Sequence, residues 1–202
     1  MKLLAFVDMH GSLKALRKII EKAKKADILV CAGDLTIFEQ GMGYLLHELD
    51  KIGKPVLLVD GNHESVEDMR KACSLFKNTV FIHKKAYKVG NYLFLGYGGG
   101  GFSMVDKSFE KGSKLFEKEV NKRRKIDKNI KIILVTHAPP YQTKIDRIMG
   151  SPCGNKSIKK FILKVKPDLA ISGHLHENAG KEDKIGKTKI VNPGPFGKII
   201  NF

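Results

Sequence analysis

The chain of 202 residues contains no tryptophan and only three cysteines, Cys31, Cys73 and Cys153. Three thiols so far apart build neither a disulfide framework nor a zinc ribbon, and they read as buried or incidental thiols in a reducing compartment. No apolar run is long enough to span a bilayer. Lys2 is followed by only five apolar residues, Leu3–Val7, before Asp8 interrupts; that is too short for the apolar stretch of a secretory signal. The expectation is a soluble, cytoplasmic protein with no membrane partner. Acidic residues are scarce too: 21 Asp and Glu face 37 Lys and Arg, 32 of them Lys, for a net charge of +16. What is present excludes disorder, because 42% hydrophobic against 29% charged residues suffices to bury a core.

A basic excess of this size either recruits polyanions and anionic substrates or coats solvated helices. Residues 107–131 carry ten Lys or Arg against Glu110, Glu117, Glu119 and Asp127. In 156–166, Lys156, Lys160 and Lys164 share one helical face, with Ile158, Phe161, Ile162 and Val165 on the other. This is the spacing of amphipathic helices with exposed basic sides, and the solvated reading is preferred.

Short runs rich in Ile, Leu and Val at Leu3–Val7, Ile28–Ala32, Val56–Val59, Ile132–Thr136 and Leu169–Ser172 read as buried strands. Helical periodicity covers Ser12–Lys25, Gly43–Lys51 and Val66–Phe76. The alternation predicts an α/β chain with parallel strands. Residues 80–97 and 179–201 instead read as strands in succession, turning at Gly90-Asn91 and Gly186. Antiparallel additions and mixed sheets follow from that. With no internal repeat and no linker, one domain over residues 1–202 is expected.

Each apolar run ends in a polar cluster: Asp8-Met9-His10-Gly11, Gly33-Asp34, Asp60-Gly61-Asn62-His63-Glu64, His137-Ala138-Pro139-Pro140 and Gly173-His174-Leu175-His176. The carboxyl ends of parallel strands form the crevice where ligands bind. Imidazole and carboxylate gathered there suit a hard-to-borderline divalent metal. An Asp-x-His alone arises by chance about 0.4 times in this composition, but Gly-Asn-His and Gly-His-x-His about 0.03 and 0.02 times. A hydrogen-bonded core histidine is the ordinary explanation of any one of these residues, and it fails for the set.

In this order, Asp8-x-His10, Gly33-Asp34, Gly61-Asn62-His63-Glu64, His137 and Gly173-His174-x-His176 resemble the signature of the calcineurin-like metallophosphoesterases. The likeness is greatest to their compact single-domain prokaryotic phosphodiesterases, and the late Asn192-Pro193-Gly194 resembles a motif of those small members. The resemblance implies a four-layer α/β sandwich of two mixed β-sheets flanked by helices, and two divalent metals per chain. Manganese is the first choice, with iron, zinc or nickel as alternatives. It also implies that Asp8, His10 and His176 hold one metal, that Asn62, His137 and His174 hold the other, and that Asp34 bridges them. Two such cations clamp the attacking and leaving oxygens of an in-line displacement at phosphorus, with a shared hydroxide as nucleophile. His63 falls on the substrate side with Asn62, as general acid or as a stabiliser of phosphoryl charge. One position departs from the family pattern: a polar residue that helps orient the histidine is replaced by Ile37, leaving Asp60 or Glu64 to do so.

The resulting expectation is a metal-dependent phosphodiesterase acting on a phosphoester, with a nucleotide or nucleic acid among the candidate substrates. The alternatives are a basic nuclease recruited by charge and a non-catalytic scaffold of the same fold. Outside the set, Gly98–Gly101 and the helix start at Asn155-Lys156 offer weaker anion sites, with turn and cap as the ordinary readings. His47 and His83 read as structural or exposed. Phe38, Tyr44, Tyr97, Phe102 and Tyr141 are candidates to stack a base, although scattered aromatics are usually core.

Overall fold

The computed structural model describes residues 1–101 and 103–202, so the stacking expectation for Phe102 lies outside the described residues. All five apolar runs form strands. β1 (Lys2–Phe6), α1 (Leu13–Ala23), β2 (Ile28–Cys31), α2 (Met42–Asp50), β3 (Val56–Leu58), α3 (Val66–Ser74) and β4 (Thr79–Phe81) build a parallel β1-β2-β3-β4 array. The chain then crosses to a second sheet through β5 (Lys85–Val89) and β6 (Tyr92–Tyr97), an antiparallel hairpin around Gly90-Asn91. Helix α4 (Lys107–Ile126) leads to β7 (Lys131–Thr136), parallel to β6. A two-stranded ribbon of β8 (Arg147–Ile148) and β9 (Ser151–Pro152) precedes α5 (Lys156–Val165) and β10 (Leu169–Ile171). After a short 3-10 helix at His176–Asn178 come the hairpin of β11 (Glu182–Ile185) and β12 (Thr188–Val191), and finally β13 (Lys198–Asn201).

Both sheets are mixed, in the orders β13-β1-β2-β3-β4 and β11-β12-β10-β7-β6-β5. The antiparallel strands β13, β11 and β5 all lie at sheet edges. One expectation needs correction. The succession read over 80–97 is not one antiparallel unit: β4 lies parallel to β3 in the first sheet, and only β5 and β6 form the hairpin. Helix α3 already supplies the crossover that a parallel β4 requires.

The continuous apolar runs are explained by burial on both faces. Leu3, Ala5 and Val7 of the first sheet meet Ile133, Val135 and Ile171 of the second in a core between the sheets. Their alternates Leu4 and Phe6 pack outward with Ala15, Leu16 and Ile19 of α1. On the far side Ile132 and Leu134 pack outward on Phe109, Phe116, Phe161 and Ile162 of α4 and α5. The result is helix, sheet, sheet, helix. Helix starts are locally fixed: Ser12, Ser65, Asp106 and Asn155 each accept a backbone N–H from the first turn that follows, a cap worth about 1 kcal/mol. Because the inner strands run parallel, their carboxyl ends, with the polar clusters, share one edge.

Candidate functional site

At that edge the backbone bends sharply. Asp8, His10, Asp34 and His174 adopt φ of 55°, 47°, 49° and 70°, a left-handed region that costs a side-chain-bearing residue energy and recurs where function needs it. The bends are held by a zipper between two loops. The N–H groups of Asp8, His10 and Gly11 donate to the carbonyls of Gly33, Asp34 and Leu35 at 3.2, 3.0 and 2.9 Å. Met9, between the two polar residues, is buried and anchors the turn.

Glycines permit the close approach. A Cβ at Gly33 would lie 2.6 Å from His137 Nδ1, and one at Gly61 would lie 2.6 Å from Asp34 Cγ. A Cβ at Gly173 would run into the Val7 side chain and lie 2.9 Å from Asp8 Oδ2. Five strand ends are thereby drawn together.

The expected residues form two neighbouring groups. Ligand-type atoms of Asp8, His10, Asp34 and His176 lie within 4.8 Å of one another, with His10 Nε2 2.9 Å from His176 Nε2. In the second group, Asn62 Oδ1 lies 3.0 Å from His137 Nε2 and 2.9 Å from His174 Nδ1. Asp34 stands between the groups, its Oδ2 3.7 Å from His10 Nε2 and 3.4 Å from His137 Nε2. The His174 N–H donates to Asp8 Oδ1 at 3.1 Å, joining the loops after β10 and β1.

Electrostatics differ from group to group. Burial alone would raise the pKa of Asp34, but the hydrogen bond and charge of His137, the His63 N–H and the charge of His10 bring it down to about 2. Burial raises Asp8 against the pull of His137 and His176. Burial and the charge of His137 lower His174 to about 4. The fully buried His137 is raised: burial opposes its charge, but Asp34 outweighs it. Its Nδ1–H donates to the Ala32 carbonyl at 2.9 Å, which aims Nε2 at Asp34 and Asn62.

His63 sits beside the first group, its ring 5.0 Å from that of His10 and 4.9 Å from that of Phe38. Neither Asp60 nor Glu64 orients it. Both Glu64 oxygens are engaged elsewhere, taking the N–H groups of Asp34, Thr36 and Gly61 and the Thr36 hydroxyl at 2.7–3.2 Å. Asp60 faces His83 instead, Oδ1 to Nδ1 2.6 Å. Among the described residues the His63 Nδ1 has no hydrogen-bond partner, and its ring is placed by the flanking rings. The carboxylate of Glu64 is thus a loop clamp that sequence reasoning missed. The signal was its place in a strand-end cluster, where a carboxylate buried among backbone N–H groups is as natural as a ligand.

The weaker candidates resolve structurally. Gly98 packs against Asp60, which leaves no room for a side chain there, and Gly99 takes a positive φ of 68°. Asn155 caps α5, accepting the Ile158 N–H at 3.0 Å. His83 is buried between the rings of Phe81 and Tyr97, and His47 is exposed. Tyr97 is buried, Tyr141 lies under Lys156 and Lys159, and among the described stacking candidates only Tyr44 and Phe38 are strongly exposed.

The calcineurin-like phosphoesterase family model matches residues 1–178. The chain is 35% identical over 209 residues to an uncharacterized protein of Methanocaldococcus jannaschii, covering 99% of this chain and 91% of that one. Among solved structures, the protein TT1561 of Thermus thermophilus aligns with a TM-score of 0.76 at 18% identity, over 96% of this chain and 89% of its own. A dimetal phosphatase from Danio rerio aligns with a TM-score of 0.60 at 10% identity, over 95% and 86%. At these identities the likeness is one of fold.

Proposed function

Because the chain belongs to the calcineurin-like phosphoesterase family, it is a metal-dependent hydrolase of phosphoric esters, and we propose that it is a phosphodiesterase working with two divalent metal ions. One observation carries the dinuclear reading: the Asp34 carboxylate lies within 3.7 Å of His10 Nε2 and 3.4 Å of His137 Nε2, with further donors beyond each. The donor set fits such ions. The imidazole nitrogens of His10 and His176, 2.9 Å apart, lie close enough that both would serve one cation. The carboxylate between the groups offers two oxygens and a charge that offsets repulsion between cations.

Asp8, His10 and His176 would hold one metal and Asn62, His137 and His174 the other, with Asp34 shared. When bound, two such ions polarise the phosphoryl oxygens and activate water at neutral pH. The chain's own residues do the rest. The Ala32 carbonyl fixes the His137 tautomer, the low pKa of His174 keeps its ring neutral, and Glu64 locks the loops bearing Asp34 and Gly61. His63, beside the cluster, donates a proton to the departing alkoxide or steadies charge on the phosphoryl oxygens. Residues 1–202 act as one domain in this reading, manganese is the preferred metal, and no helix among the described residues is long and apolar enough to cross a membrane.

Reconstitution with manganese followed by elemental analysis tests the proposal, alongside a panel of phosphomonoesters and diesters. Two metals per chain, fewer in Asp34→Asn, and preference for diesters are expected. Metal content near zero at saturating manganese, or preference for monoesters, would overturn it.

A further inference from the structure

An exposed hydrophobic step adjoins the site. Ile37 and Phe38 follow the Asp34 loop and are 43% and 67% exposed. Exposed phenyl groups cost little singly, but this one is held in place at some expense. Phe38 has φ of 47° and Glu39 of 60°, two consecutive side-chain-bearing residues in the left-handed region. The conformation is tied down from outside the loop, since Glu39 Oε1 accepts the Ser65 N–H at 2.8 Å, just past His63-Glu64. The backbone strain presents the ring instead of burying it. Strain retained beside a candidate catalytic group is an observation to be explained by function.

Position says what the ring faces. The rings run in the order His176, His10, His63, Phe38, with successive centroids 4.8, 5.0 and 4.9 Å apart. A diester whose phosphorus sits at the ligand cluster and whose leaving oxygen points to His63 places the substituent of that oxygen beside Phe38. Ile37 extends the same apolar rim where the family pattern has a polar residue. Small, fully hydrated leaving groups would gain nothing from such a surface; a planar group would stack on it.

We infer that Phe38, supported by Ile37, is a specificity-determining platform that selects phosphodiesters whose leaving alcohol carries a planar aromatic group. The inference rests on the phosphodiesterase reading above. Stacking on an aromatic side chain persists through the reaction, so it acts mainly on substrate binding, and its loss raises KM more than it lowers kcat.

The test compares methyl benzyl phosphate with methyl ethyl phosphate in the manganese-loaded protein, counting release of benzyl alcohol and of ethanol apart from that of methanol, since the three alkoxides are of similar basicity. A thymidine-bearing methyl diester in parallel separates a nucleobase from a plain ring. Wild type should favour the planar diesters in kcat/KM. Phe38→Ala and Phe38→Leu should each cut that preference by about 5- to 100-fold, and Phe38→Trp should restore it. Phe38→Leu keeps bulk against His63, so a selectivity ratio unchanged in both variants means that Phe38 acts through His63 or not at all, and overturns the inference. Titration calorimetry with benzyl phosphate and ethyl phosphate reads the same ratio as dissociation constants. If no ester is turned over, the phosphodiesterase reading fails while the binding ratio still decides the role of Phe38.

Discussion

At the residue scale, the two histidines at the strand ends of the second sheet behave oppositely. His174 is pushed down to about 4 by burial and by His137, so it is neutral near pH 7. His137 is held above the usual histidine value because Asp34 outweighs burial, and both its ring nitrogens face oxygen acceptors. A cation bound at Nε2 must displace a proton there. Calorimetric manganese titrations in buffers of different ionisation enthalpy should therefore show proton release that falls as pH rises, with affinity weakening toward acid. Binding without proton release would remove His137 from the ligand set. His63 gives a second test. His63→Ala should retain metal yet slow hydrolysis of an alkyl diester by about 10²–10⁴-fold, and a nitrophenyl diester far less, if it supplies a proton. Equal losses on both assign it to phosphoryl charge instead.

The elements depend on glycine where strand ends converge. Gly61 abuts the Asp34 carboxylate, whereas Gly43 in α2 faces open space. Gly61→Ala should destabilise the fold by about 1–3 kcal/mol through overpacking and lower metal content. Gly43→Ala should stabilise it by about 1 kcal/mol and leave metal content unchanged. Denaturant melts with elemental analysis read both; retention of full metal by Gly61→Ala would show that the Asp34 loop is slack. The same convergence explains why the setting of the His63 ring escaped sequence reasoning. Asp60 and Glu64 flank it in the chain, but His83 beside Asp60 and the backbone donors around Glu64 engage both carboxylates.

For the whole molecule, the net charge of +16 is concentrated on helices rather than at the site. Helices α4 and α5 cover the outer face of the second sheet with Phe109, Phe116, Phe161 and Ile162 inward. Their basic residues point outward, partly paired, as in Lys164 with Glu117 at 2.6 Å and Arg123 with Glu119 at 2.5 Å. Turnover of a small diester should accordingly fall only modestly between low and physiological salt, and oligonucleotide binding by metal-free protein should weaken gently. A log–log salt slope of several units would instead establish a polyanion-binding surface.

The sequence by itself determined the five apolar strands, the helices, the cap at Asn155, and the order of polar clusters at strand ends, because periodicity and capping are local and each cluster follows its run directly. Tertiary structure decided which sheet each strand joined. β4 and β5 lie only a few residues apart, yet one pairs with β3 and the other with β6, and β13 returns from the end of the chain to flank β1. It also decided that Asp8, His10, Asp34 and His174 take left-handed backbone, since only packed neighbours can hold a side-chain-bearing residue in a conformation its own sterics disfavour. The Asp34 and Thr36 partners of Glu64 and the exposed ring of Phe38 belong to the same class. They arise from contacts between segments distant in the chain, and no window of sequence contains both sides of such a contact.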